Sequence, residues 1–170
     1  MSAYIGLADV QSLPDPQMSY QFNLLFPNIP GQGSGRPLAI RCKSSSIPGQ
    51  EIEKVPVQLH GVELEFAGRP TYDHAQQATF LETRDFVSRN TIRQWMDFCK
   101  NIRNGTGNYA LQYKTVGIMQ LYDDASAVTK QIQLIGCWPT TMSSVSVSGE
   151  SSNAIELEVT FSYDLWTDLS

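Results

Sequence analysis

The side chains best suited to acid–base or metal chemistry in this 170-residue chain are two histidines, His60 and His74. His74 follows Asp73, and His60 lies close to Glu63 and Glu65. A zinc-type site needs three or four converging ligands, usually at a recognisable spacing. Neither histidine has a histidine partner one helical turn on, so the spacing predicts no metal and no cofactor. The three cysteines, Cys42, Cys99 and Cys137, form no C-x-x-C pair and are odd in number. They predict neither a zinc knuckle nor a disulfide framework, but buried or inert thiols in a reducing compartment. Gly31-Gln32-Gly33-Ser34-Gly35 is glycine-rich, yet no periodic helix follows it, so a phosphate cradle is not expected. There is no P-loop and no G-x-S-x-G elbow. Acidic pairs occur as on any strand with a wet face, and nothing selects two of them as a glycosidase pair. Trp95, Trp138 and Trp166 read as core or interface residues rather than as a sugar platform. These residue types predict a protein that is not an enzyme.

Length and charge narrow the classes further. The chain fits a single domain, 1–170, in which 1–17 reads as an extended N-terminal arm ending in Leu13-Pro14-Asp15-Pro16, ordered only where something packs on it. Charged residues make up 17% of the chain, below the roughly 25% usual in globular domains. Many surface positions are therefore uncharged or apolar, which leaves room for subunit interfaces. The net charge of −5 opposes a nucleic-acid grip, which needs a basic footprint, but not a surface that DNA slides past. No apolar run reaches the length of a membrane span. Met1–Val10 lacks the charged and apolar regions of a signal peptide. The sequon Asn104-Gly105-Thr106 reads as a turn.

The elements that position these residues are mostly strands. From Ile155 to Leu165 apolar and polar residues alternate without exception, the signature of a strand with one buried and one wet face. Leu157, Val159, Phe161 and Tyr163 on that strand, with Trp138, are expected in the core. Lys130–Trp138 also reads as extended, with Ile132, Leu134 and Trp138 on one side. Further strands are expected at Tyr20–Phe26, Leu38–Ser44, Glu51–Leu59, Val62–Ala67, Ala75–Thr83, Tyr109–Thr115, Val116–Tyr122 and Met142–Val147. Pro56 makes Glu51–Leu59 an edge, a bulge or an arm. In Val62–Ala67, Val62, Leu64 and Phe66 are expected to point in, and Gly68-Arg69-Pro70 to close the strand. Pro27–Pro37 reads as a loop, either a plain surface loop or one reaching a neighbouring subunit. One helix is expected at Asn90–Arg103, capped by Asn90 or Ser88, with Ile92, Trp95, Met96, Cys99 and Ile102 as its apolar stripe and Asn104-Gly105 as its end. About eight strands and one helix predict a mainly β fold, an antiparallel sandwich or partly closed barrel.

Several stretches carry a resemblance. Thr129-Lys130-Gln131-Ile132, Gly136-Cys137-Trp138-Pro139-Thr140 and Tyr163-Asp164-Leu165-Trp166 resemble the C-terminal third of tail tube proteins from contractile-tailed bacteriophages. Glu53-Lys54-Val55-Pro56-Val57 and Ala67-Gly68-Arg69-Pro70-Thr71-Tyr72-Asp73 are similar to the same family, so the likeness runs from about Arg41 onward. The usual Leu between the Gly and the Trp is Cys137 here. The order before the last Trp differs too. Both changes keep the apolar character.

The resemblance implies a structural subunit of hexameric rings that stack into the inner tube of a contractile tail. Strands of each subunit would join one large barrel on hexamerisation, and DNA would pass through without sticking. Its partners would be copies of itself, the tail sheath, and baseplate and tail-terminator proteins. Its place would be the virion, after assembly in the host cytoplasm. A tube of a bacteriocin, a type VI secretion machine or a baseplate initiator is the alternative within this class. A monomeric β-sandwich binding module is the alternative outside it. On this reading Glu63, Glu65, Glu156 and Glu158 face the lumen; the alternative is that they point outward or pair with Arg93, Lys100 or Arg103 of a neighbour. The resemblance places an extended loop at Ser44–Asp73, and Gln50, Glu51, Glu53, Lys54, Val55, Val57 and Leu59 are the expected contacts between rings. Arg89, Arg93, Lys100 and Arg103 form a basic stripe beside the helix's apolar one, either simply solvated or a docking face for an acidic neighbour.

Overall fold

A computed structural model describes residues 4–169. Nine strands and four helices occur among the described residues: α1 (Leu7–Gln11), β1 (Phe22–Leu25), α2 (Arg36–Arg41), β2 (Cys42–Ser45), β3 (Glu51–Leu59), β4 (Val62–Thr71), β5 (Ala75–Leu81), α3 (Val87–Cys99), α4 (Ala110–Tyr113), β6 (Thr115–Tyr122), β7 (Val128–Met142), β8 (Glu156–Ser162) and β9 (Leu165–Asp168). Seven strands form one antiparallel sheet in the order β1-β6-β7-β8-β5-β2, with β9 beside β7 on the edge that β8 leaves free. The end strands β1 and β2 come into contact, so the sheet curls into a partly closed barrel. β3 and β4 pair only with each other and form a separate hairpin.

The curled sheet wraps one apolar core, and α3 closes it. Phe26, Phe80, Trp95 and Phe161 are fully buried. Phe161 lies 4.9 Å from Phe26 and 5.9 Å from Trp95, ring centre to ring centre. Trp95 Nε1–H donates to the Tyr113 carbonyl at 3.0 Å, which satisfies its one polar atom inside the apolar cluster. Leu157, Val159, Phe161 and Tyr163 are buried, and Trp138 is half-buried against the same cluster.

The long alternating strand is two strands with a switch between them. Gly136 takes a left-handed φ of 71°, a conformation that only glycine adopts without strain. Before it Ile132 and Leu134 are buried; after it Cys137 and Pro139 are. The partner chain switches at the same level. Leu157 through Tyr163 bury their odd residues, Asp164 N–H bonds to the Ile135 carbonyl at 2.8 Å, and then Trp166 packs on the core. One inserted residue in each strand exchanges the faces. This corrects two expectations: Trp138 does not share a side with Ile132 and Leu134, and Leu165 is 49% exposed.

Other segments depart from expectation for local reasons. Leu38–Ser44 is not one strand. Pro37 sits in the first turn of α2, where the N–H it lacks has no partner in any helix, and Leu38 drops into the core. Tyr109–Thr115 is not a strand either; its middle is the single turn α4. β7 runs to Met142, and residues 143–155 hold no regular element. β1 is shorter than Tyr20–Phe26, and Tyr20 is exposed. β4 is not closed by Gly68-Arg69-Pro70 but continues to Thr71. α3 begins before Asn90, and neither Asn90 nor Ser88 caps it. The Glu82 carboxylate does, accepting from the backbone N–H of Ser88 at 3.2 Å and of Arg89 at 3.1 Å. α3 also ends early. Lys100 is extended and bridges to Gly107, so Ile102 leaves the apolar stripe and is 86% exposed.

Candidate functional site

The chemistry of the titratable groups is structural. Leu59-His60-Gly61-Val62 is the tip of the β3–β4 hairpin, with φ of 52° at His60 and 80° at Gly61; two left-handed central residues match the twist of paired strands. His74 also has positive φ, and its Nδ1–H donates to the Tyr163 carbonyl at 2.9 Å. Among the described residues no group of three or more His, Cys, Asp or Glu side chains could hold a metal ion. Burial pushes the Cys42 thiol up to about 12 and that of Cys99 up to about 11, and raises Cys137 further still. These thiols stay protonated at neutral pH and are poor nucleophiles. Burial, reinforced by the Asp73 charge, raises Tyr163 to about 12.

Three surfaces remain, and each suits assembly. The first is the hairpin. Register pairs Val55 with Phe66, Val57 with Leu64 and Leu59 with Val62, so these six apolar side chains share one face. All six are between 42% and 59% exposed. The opposite face carries Lys54, Pro56, Gln58, Glu63 and Glu65, where Lys54 pairs with Glu65 at 3.2 Å and Gln58 reaches Glu63 at 3.4 Å. Val62, Leu64 and Phe66 thus do not point into the chain's own core, because the hairpin projects away from it. Gln50, Glu51 and Glu53 lie at its base, all exposed.

The second surface is the outer face of the sheet. Strand alternation puts Glu156 and Glu158 there, away from the Trp95 side on which Phe161 is buried. Around the curl this face presents Asn23, Gln120, Gln131 and Gln133 on β1, β6 and β7, and Gln77, Thr79 and Thr160 on β5 and β8. Lys43 forms an ion pair with Glu156. Glu63 and Glu65 do not join Glu156 and Glu158 on this sheet; they belong to the hairpin.

The third surface is a groove of about 740 Å³ between α3, the loop after it and the end of β7. Met96, Trp138, Pro139 and Met142 form its floor; Arg89, Arg93 and Lys100 stand at its rim with Asp97, and Ile102 at its lip. Arg103 follows on the same loop. None of these four cations is in an ion pair among the described residues. Helical periodicity put all four cations on one helix stripe, but only Arg89 and Arg93 lie on α3; Lys100 is extended beyond its end and Arg103 is in the following turn. The groove was not legible, because Trp138, Pro139 and Met142 reach it from a strand distant in sequence.

The comparisons agree with an assembly subunit. The phage tail tube protein family matches residues 15–168. Tail tube protein gp19 of Enterobacteria phage T4 is 30% identical over 135 residues, 78% of this chain and 82% of that protein. The gp19 of Enterobacteria phage T6 is 28% identical over the same length. Among solved structures, the tube-terminating cap of the anti-feeding prophage superposes with a TM-score of 0.69 at 15% identity, covering 96% of this chain and 97% of that one. A chain of the sheath–tube complex of an extracellular contractile injection system superposes at 0.63 and 13% identity, covering 98% and 99%. The curled antiparallel sheet, the hairpin that its own chain leaves uncovered and the match over nearly the whole length lead to one conclusion: this chain belongs to the phage tail tube protein family, as a structural subunit of a contractile tail.

Proposed function

We infer that the subunit forms hexameric rings, that the rings stack into the hollow inner tube of a contractile phage tail, and that the tube conducts DNA during ejection. The observation that carries this is the apolar ladder Val55-Val57-Leu59-Val62-Leu64-Phe66, which nothing among the described residues covers. A two-stranded hairpin is marginal by itself in water. An exposed apolar face of this size marks an interaction site, and closing subunits into a ring removes the open strand edges that a monomer leaves. Val55, Val57 and Leu59, with Gln50, Glu51, Glu53 and Lys54 around them, then make the contacts between rings. The outer sheet face bearing Glu156 and Glu158 turns to the lumen. Its amides and hydroxyls wet the wall, and its carboxylates repel phosphate over roughly 8 to 10 Å. The polar side of the hairpin, with Glu63 and Glu65, stays in water. The sheath, a terminator and the baseplate are the tail partners, assembly takes place in the host cytoplasm, and no reaction is catalysed.

Electron microscopy of the purified protein tests this directly. Stacked rings are expected from the full chain. Replacing Gly49–Thr71 with a short Gly-Ser linker is expected to leave a folded subunit that no longer stacks. A dispersed monomer at high concentration, or unimpaired tubes after the deletion, would overturn the reading.

A further inference from the structure

Among the described residues nothing fills the groove beside α3, and helix α1 of the N-terminal arm is uncovered. In the arm, α1 buries none of its residues, and Ile5, Leu7, Val10 and Leu13 are all more than half exposed. Leu7 and Val10 lie on one side of the helix, three residues apart. The only charged side chains from Tyr4 to Gly35 are Asp9 and Asp15. The groove is the complement of this segment: an apolar floor under Arg89, Arg93 and Lys100, with Asp97 as its single acid. An amphipathic helix laid into an apolar groove is a recurrent mode of recognition.

The arm does not lie in its own groove, none of whose lining residues comes from 4–17. Gln17 is held at the β6–β7 turn, donating to the Tyr122 carbonyl at 2.7 Å and accepting from the Thr129 hydroxyl at 3.0 Å. Thr129 and Trp138 are nine residues apart on β7, about 30 Å at roughly 3.3 Å per residue, and the floor continues to Met142. Ser12–Gln17, fully extended, spans at most about 20 Å, and α1 adds about 7 Å. With α1 kept helical this reach is no more than the span along β7 to Trp138, which leaves no slack to seat Leu7 over a floor that continues to Met142.

We propose that the groove receives the N-terminal arm of a second copy of this chain, with Leu7 and Val10 on the Met96–Trp138–Met142 floor and Asp9 and Asp15 beside the basic rim. This rests on the self-assembly reading and assigns one of its contacts. The basic rim of Arg89, Arg93 and Lys100 is then a dock for this chain's own acidic arm.

Photo-crosslinking tests it. Leu7 is replaced by p-benzoylphenylalanine, and nitrogen-14 and nitrogen-15 preparations are mixed, assembled and irradiated. Mixed-isotope adducts on peptides containing Met96 or Met142 are expected. Adducts confined to one isotope, or mapping elsewhere, would overturn the proposal. In parallel, R89E/R93E is expected to raise the concentration needed for assembly about tenfold, and adding D9K/D15K to recover most of that loss. All these positions are solvent-facing or half-buried, and circular dichroism verifies that the variants fold. Tubes that form normally without the crosslink sink only the arm assignment. A full-length chain that forms no rings at all sinks the tube reading, and the arm assignment with it.

Discussion

Phe161→Ala is the sharpest probe of the core. Phe161 is fully buried near the C-terminal end of β8, between Gln76 of β5 and Pro139 of β7 in register. Its ring meets Phe26 at 4.9 Å, Trp95 at 5.9 Å and Phe80 at 6.3 Å. Removing a buried Phe costs about 3 to 5 kcal/mol, and the cost rises with the cavity that remains. Both flanking strands are held in the sheet, so little collapse is available. Three aromatic partners, each worth about 0.5 to 1.5 kcal/mol beyond area, place the expected loss at about 4 to 5 kcal/mol. That is a third or more of the stability of a typical domain, about 5 to 15 kcal/mol. The assay is urea unfolding of the dissociated subunit, followed by tryptophan fluorescence, because assembly would add stability by mass action. With a slope of about 2 kcal/mol per molar urea, the midpoint should fall by about 2 M. A fall below about 0.5 M at unchanged slope would mean that Phe161 is not the keystone described above.

Gly136→Ala combines a left-handed φ with a Cβ that would meet the Asp164 carboxylate; a loss of about 1 to 3 kcal/mol is expected in thermal unfolding, and an unchanged melting temperature would contradict the face switch. Glu82→Ala removes the carboxylate that caps α3 and should cost about 1 to 2 kcal/mol, measured as a drop in helical stability by denaturant titration. Iodoacetamide at pH 8 should leave Cys137 unlabelled in the folded subunit and label all three thiols in denaturant, since burial raises each thiol above its ordinary value; rapid labelling of Cys137 before unfolding would refute its burial. Changing Glu156 and Glu158 together to Lys should leave rings intact and make DNA adhere inside the tube, read as slowed ejection; normal ejection would remove these residues from the lumen.

Periodicity alone carried much of the fold. Strict alternation located β8, whose Leu157, Val159 and Phe161 are buried as expected. Helical spacing located Ile92 and Trp95 in the core, and Pro56 marked Glu51–Leu59 as an edge, a bulge or an arm rather than a central strand, which its place in a separate hairpin fits. The misses share a cause, in that long-range contacts decided against local pattern. A strand over Leu38–Ser44 was as consistent with its residue types as α2. Leu38 is captured by the core only because the curled sheet leaves room there. The end of α3 at Cys99 depends on the Lys100–Gly107 bridge, which no window on the helix contains. The face switch at Gly136 needs its counterpart at Asp164, twenty-eight residues on. Of the surfaces, the hairpin segment was legible as a run of residue type, and so were Arg89 and Arg93 of the basic stripe, whereas the early end of α3 takes Lys100 and Arg103 off the helix. The floor of the groove was not legible, because β7 supplies it from far along the chain.

The hairpin shows where sequence pattern ceases to report tertiary structure. Alternation in Val62–Phe66 states that one face is dry, but not whose surface dries it. In the isolated subunit that face is open, while the polar face is internally paired through Lys54–Glu65 and Gln58–Glu63. An interface residue and a core residue obey the same rule, apolar surface leaving water, and differ only in which copy supplies the cover. The free energy that Val55, Leu64 and Phe66 withhold from the monomer is therefore available to association. Its sign is fixed by geometry: with one face satisfied and the other not, the hairpin can lower its free energy on one side only. On the proposed reading such a subunit would keep its paired polar face in water and join others through its apolar one, which is what an ordered polymer, rather than an aggregate, requires of each of its members.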